Sequence, residues 1–488
     1  MLKKKCLMAM IAVMGVSVSG CGQAEKLTAD TPVEKEFQEV SVHDPAIIQG
    51  EDGDYYIFGS HMAVAKTSDL MNWEYVNQGI KNENDVIPDV YFQMEEAFEW
   101  SHSNTFWAPD VVQLNDGTFK MYYCNCQGDT PVSCLGMATS DAVAGPYTNE
   151  GLLLKSGMGA DELDENGDLY QATVDPNTVD PVVFYDKEGR LWMIYGSYSG
   201  GIFVKELDAQ TGEPLEDGYG TKLLGGNHLR IEAPYVIYNP DTDYYYMFLS
   251  FGGLDSDGGY NIRVCRSENP DGPYVDSLGQ EMTDCEGPVG SSFSDATAAL
   301  YGTKLMGSYK FTWKEGEEGE DRRGYLSPGH NSCLYQEETG KYFIIYHTRF
   351  ENSGEEHQVR VHQMFFNEDG WPVIAPYRYA EESLAAVTSD DVTGTYKYIN
   401  HGRDINVEMN ESEEIVLKSD GTITGAAEGT WALSGDYNVT LTIDDKEYKG
   451  VFLKQWDEDG KKYVMTFTAL CSENGVAVWG SGLGAIEE

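Results

Sequence analysis

The sequence predicts an all-β protein, in which a five-bladed β-propeller is followed by a small C-terminal antiparallel β-barrel or sandwich. Three observations support this fold class. A pattern of paired strands recurs five times, the 488 residues include 53 Gly and 12% aromatic residues, and a different strand pattern begins near Thr388. The hydrophobic content of 41% indicates a folded chain rather than an acidic, disordered one.

The first 21 residues have the features of a bacterial lipoprotein signal peptide. A basic start, MLKKK, is followed by the apolar run CLMAMIAVMGVSV and by VSGC, which resembles a lipobox. We therefore expect Cys21 to be lipidated and residues 22–37 to form a mostly polar tether. This predicts an extracellular protein at the bacterial cell surface, anchored to the membrane through its lipid alone.

Five repeats follow the tether. Each joins a short apolar strand to an aromatic strand through a turn that contains Gly or Asp. They are DPAIIQGEDGDYYIFGS, APDVVQLNDGTFKMYY, DPVVFYDKEGRLWMIYGS, APYVIYNPDTDYYYMFLS and GHNSCLYQEETGKYFIIYHT. Several continue into third and fourth strands, as in AVAKTSDLMNWEYV. Because four-stranded units repeated around an axis form a propeller, we expect five blades over residues 38–385.

The tail of the chain, residues 388–488, has no copy of this repeat. It consists of short alternating strands joined by Asp-Gly, Asp-Asp and similar turns. Such a pattern predicts a separate small antiparallel barrel or sandwich.

The charge balance limits the possible partners. Lys and Arg number 33 against 81 Asp and Glu, which gives a formal net charge of -48. So acidic a chain repels nucleic acid and anionic lipid, and it suits a neutral or cationic ligand. Seven Cys lie outside the leader without the spacing of a disulfide framework, so free thiols are expected. We expect a monomer.

Polar residues open the first strand of the repeats. Asp44, Asp180, Glu232 and His330 lie at or just before this strand, and Trp107 begins the second repeat. The first strand of a propeller blade lines the central channel, so radial symmetry would bring these residues together in one pocket. The sequence therefore predicts three carboxylates, an imidazole and an indole around a single cleft.

Three converging carboxylates in an aromatic cleft suit glycoside hydrolysis. One carboxylic acid protonates the leaving oxygen, while a carboxylate activates water. The nearby like charges and partial burial are expected to raise the pKa of one of these groups.

Five segments of the chain, taken in order, resemble glycoside hydrolase family 43, and within it the endo-α-1,5-L-arabinanases. They are VHDPAI, FWAPDV, NTVDPVVFYD, RIEAPYV and PGHNS. The tail, with GTYKYINHGRDI and VFLKQWDEDGKKYVMTFTAL, resembles the C-terminal β-domain of the extracellular two-domain arabinanases. The resemblance implies cleavage of internal bonds in arabinan, with inversion at the anomeric carbon.

The resemblance also implies roles for individual residues. Asp44 matches the general base, Glu232 the general acid, and Asp180 the carboxylate that orients the acid and tunes its pKa. His330 matches a histidine that contacts a hydrated metal, usually Ca²⁺, in the channel. His43, Trp107 and Asn177 match positions that shape the sugar subsites.

One stretch departs from the family pattern. Where arabinanases often carry an aromatic-Trp-Ser-Gly sequence, this chain reads YGSYSGGI and lacks the Trp. Ser197 and Tyr198 belong to this stretch, and Tyr198 is the candidate replacement as a platform for sugar stacking. Five other histidines are interpreted as structural: His102, His228, His347, His357 and His362.

Two alternatives stay open at this point. An exo-acting α-L-arabinofuranosidase or a β-xylosidase could use the same scaffold. A non-catalytic glycan-binding lipoprotein is the other alternative, although a pure binder has no need of three converging carboxylates.

Overall fold

The computed structural model describes residues 34–128, 130–314, 317 and 323–486. The predicted signal peptide (1–21), with Cys21, and most of the predicted tether (22–37) lie outside the described residues. Within the described ranges, no helix is both long enough and apolar enough to cross a membrane. The seven cysteines of this part of the chain are all free thiols.

The first sixteen strands form four sets of four consecutive antiparallel strands. Their bounds are β1 (Ala46–Gln49), β2 (Tyr55–Gly59), β3 (Ala63–Thr67), β4 (Glu74–Asn77), β5 (Trp107–Gln113), β6 (Phe119–Cys126), β7 (Ser133–Ser140), β8 (Thr148–Ser156), β9 (Val182–Tyr185), β10 (Leu191–Tyr195), β11 (Ile202–Leu207), β12 (Thr221–Leu224), β13 (Ile231–Asn239), β14 (Tyr244–Phe251), β15 (Asn261–Ser267) and β16 (Thr303–Met306).

The remaining strands complete the propeller and build the tail domain. They are β17 (Tyr309–Lys310), β18 (Tyr325–Gln336), β19 (Lys341–Phe350), β20 (His357–Phe366), β21 (Pro372–Ile374), β22 (Gly394–Asn400), β23 (Asn410–Glu411), β24 (Glu413–Leu417), β25 (Thr422–Gly425), β26 (Gly429–Ser434), β27 (Asn438–Ile443), β28 (Lys446–Asp457), β29 (Lys462–Cys471) and β30 (Val476–Gly482).

Helices are few and short in the described part of the chain. The α-helices are α1 (Val90–Gln93), α2 (Glu95–Ser101), α3 (Asp295–Ala298) and α4 (Ser389–Val392), and two 3₁₀ turns cover Ser60–Met62 and Met282–Asp284. The α1 and α2 helices lie between β4 and β5, and α3 lies between β15 and β16.

The sheets have a propeller-like arrangement. The first strand of each repeat contacts the first strands of the neighbouring repeats, in the cyclic order β1, β5, β9, β13, β18 and back to β1. The second strands, such as YYIFG and LWMIY, are buried along their whole length, because each sheet is covered on both faces. The opening strands therefore surround a common centre, as the sequence predicts.

The prediction of five four-stranded blades is wrong, because the structure has four. Four blades consist of four consecutive strands, but the sheet of the fifth repeat has six, in the order β21-β20-β19-β18-β17-β23. It gains β17 and β23 because Tyr309 pairs antiparallel with Tyr325 and parallel with Asn410. This repeat thus shares its sheet with a segment of the tail domain.

The tail domain is a closed barrel. Strands β22, β24, β25, β26, β27, β28, β29 and β30 pair in sequence, and β30 closes the ring by pairing with both β29 and β22. Closure leaves no open sheet edge. The barrel interior holds a cluster of buried apolar residues that includes Tyr396, Trp431, Phe452 and Phe467. Lys304 of β16 pairs with Val476 of β30, so the fourth blade and the barrel form one continuous sheet.

Candidate active site

The backbone turns sharply where the site residues enter the opening strands. Asp44, Asp180 and Ala233, which follows Glu232, each precede a proline and have φ of 57°, 55° and 57°. His330, inside β18, has φ of 46°. The left-handed conformation costs free energy in residues other than glycine and clusters at functional sites. Its repetition at equivalent points of four repeats indicates that the side chains are directed by a shared backbone geometry.

Asp44 is buried among donors. Ser60 Oγ donates to its Oδ2 at 2.5 Å, His43 Nδ1 lies 2.7 Å from Oδ2, and His330 Nδ1 lies 2.9 Å from Oδ1. Burial alone would raise the pKa of Asp44, but the positive charges of His330 and His43 and their contacts hold it well below its usual range. Asp44 is therefore ionised across the neutral pH range.

Asp180 is also buried, but its surroundings favour the neutral form. The backbone N–H of Ala233 donates to its Oδ2 at 3.2 Å. Burial, together with the nearby negative charges of Glu232 and Asp44, raises its pKa to about 8, although His330 acts in the opposite direction. Asp180 thus retains a proton near neutral pH.

Glu232 lies at the start of β13 and is 8% exposed. Ser197 Oγ donates to its Oε2 at 2.7 Å, and the Tyr260 hydroxyl donates to its Oε1 at 2.8 Å. The pairing with β14 shifts register between Glu232 and Tyr235, so the strand bulges just beyond the carboxylate. Two neutral donors and this bulge fix the direction of the side chain.

His330 links the carboxylates. Its backbone N–H donates to Ser250 Oγ at 2.7 Å, which fixes the residue within a strand that shifts register on either side of Gly329. Burial alone would lower the pKa of His330, but Asp44 and Asp180, with a smaller effect of Glu232, raise it to about 9. The imidazolium form is thus stabilised by the same three carboxyl groups that the sequence predicts to converge.

The predicted subsite residues take different positions around this centre. Trp107 and His43 line the same opening, and the Trp107 ring packs edge-on against His61 with 5.1 Å between ring centroids. The Tyr198 hydroxyl donates to Gly252 O at 3.2 Å. Asn177 accepts a hydrogen bond from Ser133 Oγ. Trp107 and His43 are therefore the ones that flank the opening beside Asp44.

Four residues near the site were missed by the sequence reasoning. Ser60 and Tyr260 donate to the carboxylates, and Phe293, 54% exposed, packs against Tyr198 with 5.8 Å between ring centroids. His347, interpreted as structural, stacks on His43 and accepts a hydrogen bond from the Asp44 backbone N–H. None of them opens a repeat, so the alignment that found the carboxylates carried no signal for them.

His330 is the residue that the family resemblance places beside a calcium ion. Because His330 Nδ1 contacts Asp44, only Nε2 of that ring can face a metal. Ca²⁺ prefers six to eight oxygen ligands, so one imidazole is a poor site by itself, and a calcium ion beside His330 would need water to fill most of its shell. A second group, His43, Asp44 and His347, has three ligand atoms within 4.8 Å of one another. Its two imidazoles suit a transition metal better than calcium.

The fold and the site define the class of protein. A propeller-like scaffold directs three buried carboxyl groups into one cleft, and the pKa values of two of them move in opposite directions. Converging carboxyl groups that serve as acid and base are the machinery of glycoside hydrolysis. The chain is a glycosidase.

Comparison with known proteins gives the family. A model described as "Glycosyl hydrolases family 43" matches residues 34–372, and one described as "C-terminal lipocalin-like domain" matches residues 376–480. The chain belongs to glycosyl hydrolase family 43. The second match covers most of the closed barrel.

Similar proteins extend over most of the chain. It is 54% identical over 446 residues to "Extracellular endo-alpha-(1->5)-L-arabinanase 2" of Bacillus subtilis, covering 91% of this chain and 93% of the relative. Identity is 48% over 453 residues to "Extracellular endo-alpha-(1->5)-L-arabinanase" of Thermotoga petrophila, covering 91% and 94%. A crystal structure of a family 43 glycoside hydrolase from Bacillus licheniformis has 53% identity and a TM-score of 0.89, covering 92% of this chain and all of that one.

Proposed function

We propose that the protein is an extracellular endo-α-1,5-L-arabinanase, which cleaves internal bonds of arabinan by an inverting general acid/base mechanism. The observation that carries the proposal is the convergence of Asp44, Asp180 and Glu232 in one buried site. The two relatives named as endo-arabinanases support the substrate, because their similarity extends through both domains. A neutral polysaccharide also suits a chain of net charge -48.

Asp44 acts as the general base. Its carboxylate has about four acceptor positions; Ser60 Oγ donates to it, and the Nδ1 atoms of His43 and His330 lie within 2.9 Å of its oxygens. The remaining position can accept a hydrogen bond from the attacking water. The lowered pKa keeps Asp44 charged, so that it orients this water and takes its proton as the bond to the anomeric carbon forms.

Glu232 acts as the general acid. Ser197 and Tyr260 hold its carboxyl group in one orientation, from which its proton is delivered to the leaving sugar oxygen. Asp180 retains a proton near neutral pH, and it accepts from the backbone N–H of Ala233, the residue that follows the acid. It therefore fixes the backbone that carries Glu232.

Calcium is part of the proposal as a hydrated ion beside His330. When bound, it would supply positive charge to the cleft and order the water around it. His330 would contribute Nε2 as the neutral ring, so a bound ion would take the place of the Nε2 proton of the imidazolium, while Nδ1 remains against Asp44. Chelation followed by calcium titration tests this, since a His330→Ala variant should lose the calcium response that the wild-type chain shows.

The location of the enzyme is also proposed. The lipobox-like VSGC supports lipidation at Cys21 and a bacterial cell-surface position, and the enzyme acts there as a monomer. Mass spectrometry of the membrane fraction should show a lipidated Cys21, and a Cys21→Ser variant should not carry the lipid. Light scattering of the purified chain measures the oligomeric state.

The direct test is a time course on linear α-1,5-arabinan. Mixed oligosaccharides should appear early with the wild-type chain and be absent with Glu232→Gln, which keeps the size of the side chain. Release of single arabinose units from the start would indicate an exo-acting enzyme instead. Product from an aryl xyloside alone would overturn the substrate. NMR of the first product reports whether the anomeric configuration inverts.

A further inference from the structure

A continuous groove connects the catalytic opening to a cavity between the propeller and the barrel. We define this junction cavity by Glu39, Phe350 and Arg360 of the propeller, Arg378 of the connecting segment, and Trp456 and Glu458 of the barrel. Its volume is about 280 Å³. Both domains thus contribute side chains to one enclosed space outside the catalytic centre.

Shared walls join the cavity to the active site. Ser41, Tyr75 and His357 line the catalytic opening together with His43 and Trp107. The same three residues line the middle of the groove together with Glu39, Phe350 and Gln358. Those last three also line the junction cavity. The three spaces therefore follow one another along the surface.

The segment from Glu39 to His43 forms the floor of this path. The side chains of Glu39, Ser41 and His43 line it in turn, whereas those of Val40 and Val42 pack into the core, with Val40 at the edge of the groove. Such alternation is expected for an extended chain with one face toward the core. Four residue steps span at most about 14 Å, so the cavity begins within the reach of a few sugar residues from His43.

The chemistry of the cavity suits a neutral sugar. Three arginines and three carboxylates are among its lining residues, so the formal charges balance. Glu39 accepts from Arg360 at 2.7 Å and pairs with Arg378, which also pairs with Glu458. Aromatic rings form much of the remaining wall. Fixed polar groups between apolar faces are what a sugar ring, with its hydroxyl edge and C–H face, requires.

The Arg378 guanidinium is fixed in the cavity wall. Its two terminal nitrogens form ion pairs with Glu39 and Glu458. Charged groups held in this way present fixed polar edges to the hydroxyl groups of a bound sugar.

We propose that the junction cavity is a distal binding site for the polysaccharide, holding a neutral sugar unit of the same chain a few residues from the bond that is cleaved. The inference rests on the proposed function, because it takes the substrate to be arabinan. It makes the barrel part of substrate binding. The polymer would contact Trp456, Glu458 and Asp459, whereas a short substrate in the catalytic cleft would not reach them.

The first test obstructs the cavity from the barrel side. Asp459, in the turn between β28 and β29, lines the cavity, so Asp459→Trp should fill part of it. Asp436→Trp makes the same change in the exposed turn between β26 and β27, away from the cavity lining. We expect Asp459→Trp to lower kcat/KM on linear arabinan about tenfold and to leave arabinotriose within twofold of wild type, with Asp436→Trp unchanged on both. Equal losses on both substrates, or no loss on arabinan, would overturn the proposal.

A second test does not depend on how Asp459→Trp folds. Calorimetry of the Glu232→Gln chain with arabino-oligosaccharides of increasing length should show affinity rising again, about tenfold, once the oligosaccharide is long enough to reach the cavity. A plateau at the length that fills the catalytic cleft would overturn the distal site. Failure of the proposed function gives a different result: the wild-type chain would then cleave neither the polymer nor arabinotriose.

Discussion

Asp44 and Asp180 occupy equivalent positions in two repeats, yet their pKa values move in opposite directions. Both are buried, both precede a proline and an opening strand, and their φ angles differ by 2°. The pKa of Asp44 lies well below its usual range, whereas that of Asp180 is raised to about 8.

The two pKa values differ because residues from other parts of the fold surround each carboxyl group with different charges and hydrogen bonds. Asp44 lies between His43 and His330 and accepts from Ser60, so positive charge offsets its burial. Asp180 accepts from the backbone N–H of Ala233 and faces two carboxylates. The repeat therefore supplies the position of a side chain, while its protonation state is set by residues that the repeat does not contain.

Asp44→Asn should give the largest loss. The variant keeps the shape of the side chain but removes the charged base, so kcat on linear arabinan should fall about 10³–10⁴-fold. KM should change little, because the sugar-contacting residues remain. Reducing-sugar assays at substrate saturation measure the effect. A loss below tenfold would show that Asp44 is not the base, and unchanged circular dichroism would exclude unfolding as the cause.

Asp180→Asn should cost less, about 10²-fold in kcat, because it removes a supporting proton rather than the base or the acid. It should also change the pH profile. In the wild-type chain, activity should decline as pH rises past about 8, where Asp180 ionises and adds a negative charge to the site. The amide cannot ionise, so the variant should lack this decline. A basic limb at the same pH in both chains would contradict the assignment.

The same distinction explains what the sequence could predict. Asp44, Asp180, Glu232 and His330 could be found because each opens a repeat, and that position is fixed by the opening strand. A separate antiparallel β-domain could be predicted from short alternating strands and their turns, but these left both a barrel and a sandwich open. These features are local in sequence, so a single chain is enough to reveal them.

Other features depend on contacts between segments far apart in the chain. Ser60 lies in a 3₁₀ turn after β2, and His347 lies in β19, so neither shares the position that defines the site. The six strands of the fifth sheet depend on a pairing between Tyr309 and Asn410, which belong to different domains. Side-chain identity alone gives no indication of either.

Ser60→Ala should have a smaller effect on kcat, and it should act through Asp44 alone, because Ser60 donates to Asp44 and not to Asp180. Ser60 Oγ donates to Asp44 and accepts from the Ala108 backbone N–H at 2.9 Å. Its loss should reduce kcat on arabinan about tenfold, since one net hydrogen bond to a charged group contributes roughly 1.5–3 kcal/mol. Ser156→Ala, in a buried hydroxyl cluster beside Thr178, is the matched control and should keep kcat within twofold. Equal losses in both variants would indicate a general packing defect.

Asp110→Asn tests the comparison with a third aspartate, and it should leave activity within twofold of wild type. Asp110 lies in β5 and accepts from the Val183 backbone N–H at 2.7 Å. Burial raises its pKa to about 7, although its backbone hydrogen bonds act in the opposite direction, and no carboxylate contributes to the shift. The pKa of Asp110 is therefore raised by burial alone, without the neighbouring charged groups that act on Asp44 and Asp180.

The effect of Asp110 should appear in stability, with a definite sign. Its pKa is about 7 in the folded chain against an ordinary value of 3.8. The neutral carboxyl thus contributes full stability below about pH 3.8, and that contribution is lost as pH rises to about 7. The loss is on the order of 4 kcal/mol, at about 1.4 kcal/mol per pKa unit. Asn cannot ionise and can still accept from Val183. Urea unfolding should therefore show that the free energy of unfolding of the variant rises relative to that of the wild-type chain between pH 4.5 and 7.5. A difference in unfolding free energy that stays constant over this range would mean that Asp110 ionises freely despite its burial.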